Sequence, residues 1–238
     1  MAIPRKKLKR TMPHAPAAPR GRGRPRAGQE IDLDVLLQGA LDAFAETGYE
    51  GTSVRELSRR LGVSHALLIA RFGSKEGLWF AAMEHALIQT EQNWREVADS
   101  PLLDDLAALR RGVVRQVIFS AAHPQVLRIM NHEGAIDSAR VRFVMERFVN
   151  PLRPGVERLL ARLLAAGRIR PVPYATLHFL TVVGGGALFA YPVEAELLGA
   201  PAHPTTEEIR AHAEAVADVL IGGVALLPPT RAGRAGAG

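Results

Sequence analysis

The strongest candidate for chemistry is the segment 52–76, which reads TSVRELSRRLGVSHALLIARFGSKE. Its spacing predicts a short helix, a turn that contains Gly62, and a second short helix. In that arrangement one helix can lie in the major groove of DNA while the other braces it against the backbone. Up to Lys75 the segment holds five Lys or Arg residues and one acid, Glu56, which is the charge balance of a phosphate-binding surface.

A wider region, about residues 31–80, resembles the DNA-binding region of the TetR family of transcriptional regulators. The resemblance rests on a Gly-Tyr turn at 48–49, the TSV start, the LGVS turn and an aromatic residue followed by SKE. It implies an all-α protein, with a three-helix helix-turn-helix domain followed by a larger helical domain for ligand binding and dimerisation. It also implies phosphate contacts from Thr52, Ser53 and Lys75.

The second helix departs from the family pattern at the positions that would face DNA. Ile69 replaces a Tyr that usually touches the backbone, and Leu67 and Ala70 replace polar neighbours. Such a face offers few hydrogen-bond donors but can read thymine methyl groups by apolar contact. The alternative is that Leu67 or Ile69 belongs to the core. The residues of this region expected to contact DNA are Thr52, Ser53, Arg55, Ser64, His65, Leu67, Ile69, Ala70, Arg71 and Lys75.

The first 26 residues carry nine Lys or Arg and no acid, which leaves 21 basic and 24 acidic residues for the rest. We expect residues 1–28 to be a disordered arm for a polyanion, either nucleic acid or an anionic membrane surface. No apolar stretch of signal-peptide length follows the charges. Within the arm, Arg22, Gly23, Arg24 and Pro25 resemble an AT-hook, whose arginines fit a narrow A·T-rich minor groove.

The body of the chain shows helical periodicity almost throughout. We expect the helix-turn-helix domain with its connecting helix at 29–98, the second domain at 99–228 and a flexible tail at 229–238. The second domain should contain helices at about 101–121, 124–133, 138–166 (bent by its prolines), 173–198 and 205–226.

Residues 171–193 contain no charged side chain, and their number would allow a membrane span. His178, three consecutive glycines and flanking prolines instead favour a buried helix, and we predict no membrane association. By resemblance, the last two long helices should form a homodimer interface. The same resemblance places an effector pocket in this domain, and the candidate lining residues are Trp94, Arg128, His132, Phe143, Tyr174, His178 and Phe179.

Enzyme and metal signatures are mostly missing from the sequence. The chain has no cysteine, which excludes thiol chemistry and fits a reducing cytoplasm, and it lacks GxSxG, GxxxxGK[ST] and HExxH. Glu208 and His212 could share a helix face, but one such pair is more often a solvated contact than a metal site. We predict no cofactor, no metal and no catalytic residue.

Taken together, these features predict a homodimeric regulator that binds a palindromic operator in double-stranded DNA. We expect a repressor whose DNA affinity falls when a small molecule fills the second domain. Two other classes stay open. One is an architectural DNA-binding protein without an effector, and the other is a helical enzyme with His132 or His178 as a base.

Overall fold

The computed structural model describes residues 32–98 and 104–225, without the side chains of 89–98. The AT-hook-like residues Arg22, Gly23, Arg24 and Pro25, and the tail, lie outside this part of the chain. The described residues confirm the all-α class, since their only β feature is an isolated bridge between Ile169 and Ala225. The helices are α1 Leu33–Gly51, α2 Val54–Leu61, α3 His65–Phe72, α4 Lys75–Ala98, α5 Asp105–Ala122, α6 Pro124–Glu133, α7 Ala139–Val144, α8 Asn150–Ala165, α9 Tyr174–Phe179, α10 Gly185–Ala190, α11 Pro192–Leu197 and α12 Thr206–Val224.

Local signals place the starts of several helices where the sequence predicts them. The hydroxyl oxygens of Ser53 and Ser64 accept hydrogen bonds from backbone N–H groups in the first turns of α2 and α3. Thr205 and Glu208 form the full capping box at the start of α12. At Ser53 only half of the expected box forms, because the Glu56 carboxylate binds Arg59 instead.

Glycines with positive φ end the first two helices. Gly48, at φ 70°, interrupts α1 before a last turn, and Gly62, at φ 67°, caps α2 in the left-handed region. The buried stripe of α1 packs with Leu57 of α2, Leu68 of α3 and Trp79 of α4. The short helices α2 and α3 each bury one residue fully, with Val54, Leu61 and Phe72 packed against the same core, and their outer faces are exposed to solvent.

One core runs across the expected boundary between the two domains. Phe119 of α5, Ile129 of α6, Val144 of α7 and Phe148 join the same apolar cluster as α1 and α4. A second cluster lies between α5, α8 and α12. Movement of α6 or α7 therefore acts directly on the packing of α1 and α4.

The predicted helix 138–166 is present but changes its winding. Between α7 and α8 the chain makes one π-helical turn, Met145–Val149, and then continues without a break. Pro151 follows at once, and a proline removes the N–H that would bind the carbonyl four residues earlier. The widened turn accommodates that missing bond.

The predicted helix 173–198 is wrong in one respect, because it breaks at Tyr191. Tyr191 has φ −120° and ψ 65°, and the following Pro192 disfavours the α conformation at the residue before it. Between α9 and α10 there is a second π-helical turn, Leu180–Gly184. No helix within the described ranges is long and apolar enough to cross a bilayer.

Candidate DNA-binding surface and internal cavity

The outer face of α3 is open to solvent. His65, Ala66, Ile69 and Ala70 are exposed, whereas Leu68 is buried in the core. Ala66, Ile69 and Ala70 are spaced by three and four residues, which places them on one helix face. Sequence reasoning left out Ala66, although this spacing was available to find it.

The two residues beside this face, Ser64 and Leu67, differ in their exposure. Ser64 is exposed, and its hydroxyl caps the helix. Leu67 is partly buried, so it contributes less to the outer face than the sequence suggested. The core position in this part of α3, which the alternative interpretation gave to Leu67 or Ile69, is occupied by Leu68.

Arginines beside α3 divide into paired and unpaired groups. Arg60 forms a bidentate ion pair with Glu46, and Arg59 binds Glu56. Arg55 and Arg71 are exposed and form no ion pair with any residue that the structure describes. Their charges are therefore available to an outside anion such as a phosphate.

Thr52 does not have the placement expected of a phosphate contact. Its side chain is 4% exposed. The hydroxyl donates to the Gly48 carbonyl at 2.7 Å and lies 2.7 Å from the Thr47 hydroxyl. Thr52 therefore fixes the junction between α1 and α2 from inside, and the exposed Ser53 next to it is the residue that can reach a phosphate.

Lys75 is also occupied within the protein. Its ammonium group donates to the Tyr49 carbonyl at 2.9 Å and to the Thr52 carbonyl at 3.0 Å. It also lies 3.9 Å from the centroid of the Tyr49 ring. A cation on the free carbonyls at the end of α1 is favourable, so Lys75 ties the start of α4 to that end.

Arg140 of α7 meets the same junction from the second domain. Its guanidinium carbon lies 3.7 Å from the centroid of the Tyr49 ring. Its Nε lies 2.9 Å from Oε2 of Glu133, without the alignment of a hydrogen bond, and its terminal nitrogens lie within 3.6 Å of Glu50 and Glu76. Arg140 thus contacts groups at the ends of α1 and α6 and at the start of α4.

A cavity of about 530 Å³ lies behind this junction. Residues of α5 to α9 and both π-helical turns line it. Pockets of this size are typical of small-molecule sites. Isolated π-helical turns are frequent at functional sites. The wall is mostly apolar.

The structure places three of the seven candidate effector residues in the wall: Tyr174, His178 and Phe179. Trp94 lies outside the described side chains. The other three do not line this cavity, so the sequence interpretation is corrected for them. The Arg128 guanidinium donates to the Ala190 carbonyl at 2.7 Å.

His132 and Phe143 also have neighbours outside the cavity wall. His132 is exposed and lies against Gly48, where an added Cβ would be 3.5 Å from its ring. Phe143 packs on Phe80, with ring centroids 4.6 Å apart. Composition showed that these side chains were large or polar, but it did not show which way their helices turned them.

Sequence reasoning missed a polar stripe, which we define as Gln116 and Ser120 of α5, His123 directly after α5, and Thr181. Gln116 and Ser120 are spaced by four positions, so they share one face of α5, and all four residues line the cavity. The signal that could have found Gln116 and Ser120 was their spacing of four positions among apolar residues of α5 such as Val113 and Val117. Nδ1 of His123 and Oγ1 of Thr181 are buried without a hydrogen-bond partner among the described residues.

The titratable groups of the cavity are held in their neutral forms. Burial lowers the pKa of His178, and burial together with His85 lowers the pKa of His123. Burial raises the pKa of Tyr174. Glu208 and His212, the pair considered for a metal, are used elsewhere: Glu208 caps α12, and Nε2 of His212 lies 3.2 Å from the Gly185 carbonyl.

Residues 36–82, which contain α2, α3 and the stripe of α1, match the bacterial regulatory proteins of the tetR family. The transcriptional repressor AcnR of Corynebacterium efficiens is 30% identical over 164 residues, which cover 63% of this chain and 77% of that protein. The chain belongs to the TetR family. The sequence resemblance over 31–80 is thereby confirmed.

Some other relatives match over a shorter part of the chain. A transcriptional repressor of Mycobacterium tuberculosis is 40% identical over 58 residues, which are 24% of this chain. The match spans about a third, 31%, of that relative's length, and the same holds for the other first relatives.

Solved structures show the same fold over most of the chain. The ketosteroid regulator KstR2 of Mycobacterium tuberculosis has a TM-score of 0.61 at 19% identity and covers 84% of this chain and 99% of its own. A putative fatty acid metabolism regulator of Clostridium perfringens has a TM-score of 0.65 at 14% identity, with coverages of 81% and 100%. At these identities the likeness concerns the fold.

Proposed function

We propose that this TetR-family chain is a homodimeric repressor that binds a palindromic operator and leaves it when a small molecule fills the cavity. The observation that carries the proposal is the solvent-exposed face of α3, flanked by the unpaired Arg55 and Arg71. The relatives named as repressors, including AcnR, support repression over activation. A protein that acts on chromosomal DNA in a bacterium works in the cytoplasm.

DNA reading would rest mainly on apolar contact. Ala66, Ile69 and Ala70 can meet thymine methyl groups in the major groove, while His65 supplies a ring nitrogen for one base edge. Ser53, Arg55 and Arg71 would hold phosphates and set the register without reading bases. Thr52 and Lys75 then act as positioning residues for the helix pair.

The dimer would form through α12 and the π-helical turn that leads into α10, where small or apolar residues are exposed. On α12 the exposed residues Ala211, Ala215, Val219 and Gly222 are spaced by four, four and three positions, and Val219 is 74% exposed. Gly184, the last residue of the π-helical turn before α10, is exposed and has open space where a Cβ would be. Small residues on both segments allow a second copy to approach closely, and apolar surface of this kind is buried in stable dimers.

Release from DNA would use the contact between the cavity and the α1 junction. Gly134 lines the cavity, and it follows Glu133, the partner of Arg140. Arg140 stacks on Tyr49, whose carbonyl binds Lys75 at the start of α4. A ligand that favours one placement of α6 and α7 would shift the dimer toward one distance between its two α3 helices. The shift in free energy can be no larger than the difference in the ligand's binding free energy for the two states.

The decisive experiment is selection of bound sequences from a random DNA pool by the full chain at physiological salt. We expect a palindrome with half-sites about one helical turn apart, which accept one spacing of the two α3 helices. Enrichment of A·T-rich DNA without a palindrome, with a steep salt dependence, would instead indicate an architectural protein. Operator-bound protein is then titrated with candidate effectors, and release of DNA is measured.

A further inference from the structure

The described wall of the cavity carries no formal charge. Among its 25 described lining residues there is no Lys, Arg, Asp or Glu. Its ionisable groups, His123, Tyr174 and His178, have pKa values moved by burial toward the neutral form. A charged ligand would lose its hydration here without gaining an opposite charge.

One part of the wall is wholly apolar. The seven lining residues from Val141 to Val156 are all Val, Leu, Met or Phe. The polar stripe and the other polar lining residues, Asn131, Tyr174 and His178, belong to other segments of the chain. Thr181 is 3% exposed, and its hydroxyl has no hydrogen-bond partner among the described residues.

A buried hydroxyl without a hydrogen-bond partner destabilises the folded protein unless a bound molecule forms a hydrogen bond with it. Ser120 already donates its proton to the Gln116 carbonyl at 3.1 Å, so its oxygen remains as an acceptor. The stripe therefore offers both donors and acceptors to a neutral oxygen group on a ligand.

We propose that the cavity binds an uncharged, mostly hydrocarbon molecule that carries a hydroxyl or carbonyl oxygen. The oxygen lies on the polar stripe, and the hydrocarbon lies on the Val141–Val156 wall. A volume of about 530 Å³ corresponds to roughly 18 groups of the size of a water molecule, at ~30 Å³ each. That this molecule is the effector rests on the proposed function, whereas its binding does not.

The first test uses two fluorescent probes with the same ring skeleton on the unaltered full chain. N-phenyl-1-naphthylamine is neutral, and 8-anilino-1-naphthalenesulfonate carries a sulfonate. We expect the neutral probe to bind at least about 100-fold more tightly, because the sulfonate finds no counter-charge. Equal binding of the sulfonate, displaced by the neutral probe, would overturn the proposal, as would no binding of the neutral probe.

The second test locates the bound molecule. Leu152→Trp fills the cavity and should abolish binding of the neutral probe, while Ile136→Trp, at an exposed residue outside the wall, should leave binding unchanged. Thermal unfolding confirms that both variants fold. If Leu152→Trp does not fold, the Thr181 variant below locates the site instead. Retained affinity in a folded Leu152→Trp protein would overturn the proposal.

The third test isolates the hydrogen bond with 1-dodecanol and 1-chlorododecane as competitors of the probe. Thr181→Val keeps the shape of the side chain and removes its hydroxyl. We expect the preference for the alcohol over the chloride to fall about 2- to 10-fold. An unchanged preference would remove Thr181 from the site. Binding that follows all three expectations without releasing operator DNA would confirm the ligand class and refute effector-controlled release.

Discussion

The ion pair between Arg140 and Glu133 offers the sharpest test of how the domain junction is held together. Arg140→Met removes the guanidinium charge but keeps a long apolar side chain that can still cover the Tyr49 ring. Among the described residues, Glu133 then keeps the Ser138 hydroxyl, 2.9 Å away, as its side-chain hydrogen-bond partner. Its side chain is 5% exposed, so solvent cannot replace the lost cation.

The size of the effect follows from burial. Removing one partner of a buried ion pair costs about 3–5 kcal/mol, because the other charge is left uncompensated. Arg140 is itself only 13% exposed, so solvent screens this pair little. Glu50 and Glu76 are more exposed and farther away, so they add little. We therefore expect the free energy of unfolding to fall by about 3–5 kcal/mol.

Urea titration at a fixed protein concentration measures this loss. Arg142→Met is the matched control, since Arg142 and its partner Asp137 are 62% and 70% exposed two helix positions away. We expect no measurable change in the control. Adding Glu133→Gln to Arg140→Met should restore much of the stability, because the stranded charge is gone. A loss below about 1 kcal/mol for Arg140→Met would refute the reasoning.

Three further predictions concern DNA, the dimer and pH. Arg55→Ala should weaken binding to every DNA sequence and make the salt slope shallower by about one, whereas Ile69→Asn should change the preferred base at one operator position. Competition binding with variant operators distinguishes the two effects, and a base-specific effect of Arg55→Ala would refute its role as a phosphate contact. Gly184→Arg should give folded monomers by light scattering and circular dichroism, while Gly185→Arg should unfold the chain, because a Cβ there would lie 2.6 Å from a valine of α5; a folded dimer in the first variant would move the interface. Burial lowers the pKa of His178, so the unfolded chain takes up a proton first as pH falls through about 6.5, and stability should decline in that range. In urea titrations His178→Asn should reduce the decline, and an unchanged slope would contradict the prediction.

The sequence was sufficient where a helix is decided by its own neighbours. Ser64 and Thr205 begin helices because a hydroxyl can accept from an N–H group three residues on, and that depends on local spacing alone. Gly48 and Gly62 end helices because the chain takes a positive φ there. The buried stripe of α1 follows from periodicity for the same reason.

Contacts between distant elements were beyond the sequence. Thr52 and Lys75 have the residue types of phosphate ligands, yet both are occupied at the α1 junction by carbonyls that only the fold brings near. Arg128 was expected in the pocket, and it caps α10 instead because α6 turns that way. Residue type limits the contacts that a side chain can make, and the partners that the fold brings near determine which contact forms.

The two π-helical turns limit what helical periodicity predicts about the part of the cavity wall that follows them. A π turn holds one more residue than the α periodicity assumes, so every later residue is rotated by about one position, or 100°, relative to the expected face. After Leu180–Gly184 this shift affects α10, in which Gly185 and Gly186 pack against α5. After Met145–Val149 the same shift affects α8. Both turns line the cavity, so helical periodicity assigns this part of the wall least reliably.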